Sequence, residues 1–169
     1  MRTRLGAVLG SLLFLVLAPG VVALYLPWRI TGWRMQPPLF GLEATRWLGV
    51  LLIALGTPGL LDAFARFAIQ GRGTPAPVLP PERLVVHGLY RFVRNPMYVA
   101  VVSIILGQAF LLGSVELVAY AAVIWLAFHL FVLAYEEPAL QRQFGQSYQE
   151  YCTAVPRWIP RRRPWSAGR

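Results

Sequence analysis

Apolar residues do not alternate with polar ones along this chain but run together in four blocks. The first, Leu5 to Pro27, contains no charged residue and exceeds the ~20 residues needed to cross a bilayer. Pro19-Gly20 predicts a kink in it. The basic start and the triplet Val21-Val22-Ala23 also fit a cleaved signal peptide, but the length of the run and the blocks that follow favour a retained span. A polar connection from Trp28 to Arg46 leads to the second block, Trp47 to about Ile69, which Pro58 interrupts. Asp62 and Arg66 lie one helical turn apart near its far end, which predicts an ion pair at the membrane boundary. A site role for Asp62 is the lesser reading. The segment Gly71 to Val86 carries four prolines and predicts an extended loop. The third block runs from Pro96 to about Leu112, roughly 25 Å of helix. Gly113-Ser114 predicts a tight turn, with Ser114 capping the fourth block, Val115 to Tyr135, and Glu116 complementing its dipole. Beyond it, Phe144, Tyr148, Tyr151 and Val155 recur at helical spacing and predict one amphipathic helix on a membrane surface. Trp158 and Arg161 to Arg163 then read as membrane anchors.

Composition supports a bilayer protein. The 169 residues are 57% hydrophobic and 14% charged, where a soluble domain carries about a quarter charged residues. The expected fold is all-α: a multi-pass helical membrane protein with about four transmembrane helices and a C-terminal amphipathic helix at the cytoplasmic face. One domain covers 1–169, with two spans in 1–70, a cofactor-binding half in 71–160 and a basic tail in 161–169. Net charge is +9 and every basic residue is Arg. Because these arginines flank apolar blocks, membrane lipids rather than nucleic acid are the expected partner. The single Cys152 excludes an intramolecular disulfide. Arginines at the N-terminus, in the loop after the second block and in the tail outnumber those on the other side of a four-span arrangement. The positive-inside rule then places both termini in the cytoplasm, and a bacterial inner membrane is the expected location.

The polar residues gather in two places. His87-Gly88-Leu89-Tyr90 and Arg94-Asn95-Pro96-Met97-Tyr98 precede the third block, and Glu136-Glu137 follows the fourth. Asn95 is a good helix N-cap and Pro96 a good first helical residue. The turn at Gly113 makes the two blocks an antiparallel hairpin, so these groups share one membrane face. Packed helices lie 8–10 Å apart on axis. Arg94, Asn95 and Tyr98 are therefore expected to face Glu136 and Glu137 across a gap of small-molecule size. A helix N-terminus attracts anions, carboxylates attract ammonium or hydroxyl groups, and tyrosine rings attract a cationic centre. S-adenosylmethionine carries all of these features, although other zwitterions do too. No metal site is expected. His129 and Gln108, polar residues within the blocks, are candidates to grip a polar atom of an acceptor. His129 also fits a neutral side chain bonding a neighbouring helix.

The residues from about Leu84 to Pro160 resemble the isoprenylcysteine carboxyl methyltransferases and the related phospholipid N-methyltransferases. The resemblance lies in His87-Gly88-Leu89-Tyr90, Arg94-Asn95-Pro96-Met97-Tyr98, Glu136-Glu137-Pro138-Ala139-Leu140, Phe144-Gly145-Gln146-Ser147-Tyr148-Gln149-Glu150-Tyr151 and Val155-Pro156, in order and with matching gaps. It implies a membrane enzyme using S-adenosylmethionine on a lipid-like acceptor bearing a carboxylate, amine or thiol. It implies a cofactor site of His87, Gly88, Tyr90, Arg94, Asn95, Pro96, Tyr98, Glu136, Glu137 and Leu140, with Arg94 and Glu137 catalytic. Ala100 stands where the family usually has Gly; its methyl bears on the backbone approach to the cofactor and is expected to be tolerated rather than to cost binding. Two other readings compete: a nicotinamide-dependent membrane reductase of a lipid, and a non-catalytic membrane scaffold. Neither accounts for polar clusters at both inner ends of the hairpin together with Glu-Glu-x-x-Leu.

Overall fold

The computed structural model describes residues 18–70 and 84–166, and among these every regular element is a helix. Most of the first apolar block and of the proline-rich loop therefore lies outside the described residues, while the triplet Val21-Val22-Ala23 lies within them. The helices are α1 (Leu26–Thr31), α2 (Ala44–Gln70), α3 (Pro96–Leu112), α4 (Val115–Phe131), α5 (Glu137–Phe144) and α6 (Gln146–Ala154). A π-turn, Val21–Tyr25, leads into α1, and a second, Val132–Glu136, joins α4 to α5.

Among the described residues, two helical runs are long and apolar enough to cross a membrane: Ala44–Arg66, with mean hydropathy 1.8, and Val115–Phe144, with 2.3. Most of each lies on the outside of the molecule. Exposed Trp47, Leu55, Val123 and Leu130 would be costly in water and are at home in lipid. Helix α3 is apolar but shorter.

The third block matches α3 residue for residue, whereas the fourth runs further than its pattern predicts. Glu136-Glu137-Pro138 does not end the helix. The π-turn absorbs an extra residue, Pro138 falls in the first turn of α5, where its missing N–H costs no bond, and the helical path continues to Phe144. The single tail helix predicted over 144–155 is also corrected. Gly145, at φ 53° and ψ −125°, breaks it into α5 and α6, a conformation essentially confined to glycine.

Helices α2 and α3 approach at backbone distance. A Cβ added to Gly49 would stand 2.6 Å from the Gly107 carbonyl oxygen, and one added to Gly107 would stand 2.6 Å from Ile53 Cγ1. Small residues permit this in membrane helices, where dispersion drives packing. Ala100 belongs to the same core, with Leu60, Phe64, Ile104 and Ile105. Its methyl is packed among apolar side chains.

The hairpin turn forms as predicted. Gly113 adopts φ 77°, where a side chain would collide with the Pro37 carbonyl. Ser114 Oγ accepts from the Leu117 amide at 3.2 Å. Arg46 donates to the carbonyls of Leu111 (2.7 Å) and Gln36 (2.8 Å), satisfying an end of α3 that would otherwise lack partners. Arg66 pairs with Asp62 through Nε at 2.8 Å, the predicted ion pair.

Candidate active site

The hairpin brings the two polar clusters to one end of the molecule and into direct contact. Tyr98, in the first turn of α3, donates its hydroxyl to Glu136 Oε2 at 2.8 Å. Its ring stacks on Phe128 of α4, 4.5 Å between centroids. The π-turn ends at Glu136, where the altered helical phase sets its carboxylate toward α3; π-bulges often mark functional positions for this reason. Arg94 Nη1 lies 3.1 Å from Glu137 Oε1 and donates to Cys152 Sγ at 2.7 Å. The expected open gap is thus bridged by hydrogen bonds. What remains is a crevice of about 50 Å³ lined by Tyr90, Arg94, Asn95, Pro96, Met97, Tyr98 and Glu136.

Sequence reasoning missed Arg157. Its guanidinium forks onto Glu137, Nε to Oε1 at 2.7 Å and Nη2 to Oε2 at 2.8 Å, the geometry for which Arg suits carboxylates. This bond holds the Arg157 charge more firmly than usual. Glu137 is therefore shared by two arginines and is not free to meet a ligand ammonium. The signal available was the position of Arg157 directly after Val155-Pro156, but nothing in the spacing shows that the tail folds back.

It does fold back. The Arg94 amide donates to the Pro156 carbonyl (2.9 Å), the Arg161 amide to the Phe92 carbonyl (2.9 Å) and the Trp165 amide to the Arg91 carbonyl (2.9 Å). Arg91 Nε returns a bond to the Trp165 carbonyl at 2.6 Å. Asn95, expected to cap α3, makes no side-chain cap bond; its amide donates to the Arg157 carbonyl at 3.2 Å. Tyr151 donates to the Tyr90 carbonyl at 2.6 Å. Trp158, read as a membrane anchor, donates from Nε1 to His129 Nδ1 at 3.0 Å and sits in an aromatic cluster with Trp125. Arg161 donates to the Ala154 carbonyl. The tail is thus a strap over residues 90–95. Burial pushes the phenols of Tyr90, Tyr148 and Tyr151 above their usual range.

Six sequence candidates do not line the crevice: Glu137, held by Arg94 and Arg157, and His87, Gly88, Leu140, His129 and Gln108. His87 is exposed at the start of the 3-10 turn Gly88–Arg91. Gly88 adopts φ 58° where a side chain would collide with Arg66, so it serves the turn. Leu140 packs under the strap with Tyr148, Tyr151 and Val155. His129 and Gln108 do not converge, since His129 is held by Trp158 and Gln108 donates to the Ala23 carbonyl at 2.7 Å.

The electrostatics are polarised. Glu136 has no cationic partner among the described ion pairs, while Arg94 Nε is buried without an acceptor. One wall thus offers a carboxylate and another an unused N–H donor on a cation.

Residues 44–147 match the family model described as phospholipid methyltransferase. The chain belongs to that family. The match takes in both polar clusters of the hairpin and α2 before it. Beyond the family model, this phospholipid methyltransferase family member is 38% identical over 78 residues to protein-S-isoprenylcysteine O-methyltransferase A of Arabidopsis thaliana, covering 46% of this chain and 39% of that protein. It is 38% identical over 78 residues to protein-S-isoprenylcysteine O-methyltransferase of Schizosaccharomyces pombe, covering 46% and 33%. It is 34% identical over 80 residues to a probable protein-S-isoprenylcysteine O-methyltransferase of Oryza sativa subsp. indica, covering 47% and 41%. The similarity spans well under half the length of these relatives. No solved structure matches.

Proposed function

We propose that this protein transfers the methyl group of S-adenosylmethionine to an acceptor dissolved in the membrane. The observation that carries the reading is the polarised crevice: the unpaired Arg94 Nε opposite the cation-free carboxylate of Glu136. A zwitterionic amino-acid end fits that arrangement, its carboxylate toward Arg94 and its ammonium toward Glu136. When bound, the donor supplies an electrophilic methyl on a sulfonium. At about 50 Å³ the crevice is far below the ~300–1,000 Å³ usual for a small-molecule site. Binding therefore requires opening, and the strap bonded across residues 91–95 is the element that moves.

The protein's own residues orient and exclude water. Glu137, fixed by Arg94 and Arg157, holds the Arg94 guanidinium in place and acts as a positioning residue. Tyr98, fixed by Phe128 and Glu136, presents a ring edge and hydroxyl at the crevice. A carboxylate or thiolate acceptor needs no base, and relatives whose names specify O-methylation of isoprenylcysteine favour the carboxylate. Four spans, with both termini and the site cytoplasmic, remain the preferred topology.

Calorimetry of the purified protein in detergent tests the cofactor. S-adenosylhomocysteine is expected to bind and NADPH is not; the reverse result overturns the reading. Lipid extracts incubated with a methyl-labelled donor then identify the acceptor by the mass of the labelled product.

A further inference from the structure

The strap is gripped at a second point, away from the crevice. Trp158 donates its indole Nε1–H to His129 Nδ1 at 3.0 Å. The two rings lie 5.8 Å apart between centroids, and Trp125 stacks on His129 at 5.2 Å with 13° between the ring planes. His129 is in the last turn of α4. It precedes Glu137 by eight residues, roughly 12 Å of helix. Arg157 and Trp158, neighbours on the strap, therefore hold the path from α4 to α5 at two heights, one at the crevice and one further into the apolar run.

The surroundings of the two grips differ. Arg157 bonds Glu137 beside the polar crevice, and the amides of Arg161 and Trp165 bond the carbonyls of Phe92 and Arg91. Water replaces such partners when the strap lifts, so breaking these bonds has a small net cost. His129 stands instead near Trp125, Leu126 and Leu130 of α4, all exposed on the outside of the molecule. Ile159, next to Trp158, is 78% exposed. These side chains suit lipid, and lipid tails offer no hydrogen-bond donor. Lifting Trp158 leaves His129 Nδ1 unpaired in an apolar medium and draws the indole away from it.

We propose that the Trp158–His129 bond is the latch that keeps the strap closed over the crevice, and that its release admits and frees the methyl donor. The donor's part in this rests on the function proposed above; the latch itself does not. Neither latch residue lines the crevice, so the bond is the same whether the closed crevice is empty or occupied. Its loss destabilises both closed forms equally against their open forms. Binding and release then quicken by one factor, and affinity stays where it was, because a change with no preference between empty and occupied protein cannot shift their balance. Damage to the crevice would weaken affinity instead.

The test uses the full chain in phosphatidylcholine nanodiscs, with S-adenosylhomocysteine as the probe. Trp158→Phe and His129→Phe each keep a ring and remove one partner of the bond, whereas Trp125→Phe leaves the bond intact. Amide hydrogen exchange in the segment 157–165, measured without ligand, should be about tenfold faster in the first two variants, the factor for one hydrogen bond. The double variant Trp158→Phe with His129→Phe should be no faster than either alone, since one bond is lost only once. In each single variant S-adenosylhomocysteine should associate and dissociate about tenfold faster at an unchanged Kd. Unaltered exchange in both variants, equal acceleration by Trp125→Phe, or a weakened Kd at an unaltered association rate overturns the latch. If S-adenosylhomocysteine binds none of these proteins, the donor reading falls, and hydrogen exchange still decides for or against the latch.

Discussion

Glu136 and Glu137 are adjacent in sequence yet do different work. Glu136 accepts one bond from Tyr98 and faces the crevice, whereas Glu137 is pinned by two guanidiniums. Substitution by Gln separates these roles. Glu136→Gln keeps an acceptor for the Tyr98 hydroxyl but removes the charge facing the ligand, so S-adenosylhomocysteine affinity should fall roughly tenfold to hundredfold with the fold intact. Glu137→Gln leaves Arg94 and Arg157 competing for a neutral amide. It should cost about 1–3 kcal/mol of stability before any effect on binding is considered. Thermal unfolding and calorimetry of the two variants check the contrast; equal destabilisation by both would erase it. The sequence placed Arg94, Tyr98 and the Glu pair together correctly because the hairpin is a local device with a readable turn. It could not say which carboxylate is free, because that depends on Arg157, twenty residues beyond Glu137 and brought back only by the strap.

Among the elements, α3 was legible to the residue, since Pro96 and Gly113 punctuate both of its ends. The π-turn before Glu136 and the break at Gly145 were not. The first needs no special residue, and the second hid within a regular four-three-four spacing of apolar positions that persists across the break because α5 and α6 pack on one cluster. The α2–α3 contact was equally silent, as single glycines in apolar runs carry no pattern. Its tightness makes a sharp expectation. Gly107→Ala places a methyl 2.6 Å from Ile53 Cγ1 and 2.8 Å from the Gly49 carbonyl oxygen. Ile53 can shift but backbone cannot, so overpacking should cost about 1–3 kcal/mol. Denaturation in a mixed-detergent titration measures this, and a midpoint unchanged from the unaltered protein would show that the helices pack less closely.

At the scale of the whole molecule, the strap joins the tail to the crevice, and both its pH response and its side of the membrane can be worked out. Tyr90, Tyr148 and Tyr151 are buried phenols whose ionisation is pushed above its usual position near pH ~10. The folded protein retains protons that the unfolded chain would release. Their contribution to stability is therefore complete below pH ~10 and declines as pH rises beyond it. Absorbance near 295 nm should show the more exposed tyrosines ionising first, and these three only as the strap loosens.

The side of the membrane follows from where the arginines are engaged. Arg46 caps α3, and Arg91, Arg94, Arg157 and Arg161 bond within the site and strap. Counting arginines as free loop charges therefore overstates the positive-inside signal on both faces. Exposed Arg142, Arg162 and Arg163 lie at the crevice end, against exposed Arg29 and Arg34 on the connection that packs at the Gly113 turn, so the crevice end keeps a small excess and is expected to be cytoplasmic. The check uses a Cys152→Ser background with single cysteines at Val115, exposed beside the turn, and at Arg163, exposed on the strap. In intact cells an impermeant maleimide should modify position 115 and leave position 163 untouched until the membrane is opened. Modification of both positions in intact cells would put the hairpin turn and the crevice on one side. That outcome would remove α3 and α4 as membrane-crossing elements, and with them the argument that the acceptor meets the methyl donor at the inner membrane face.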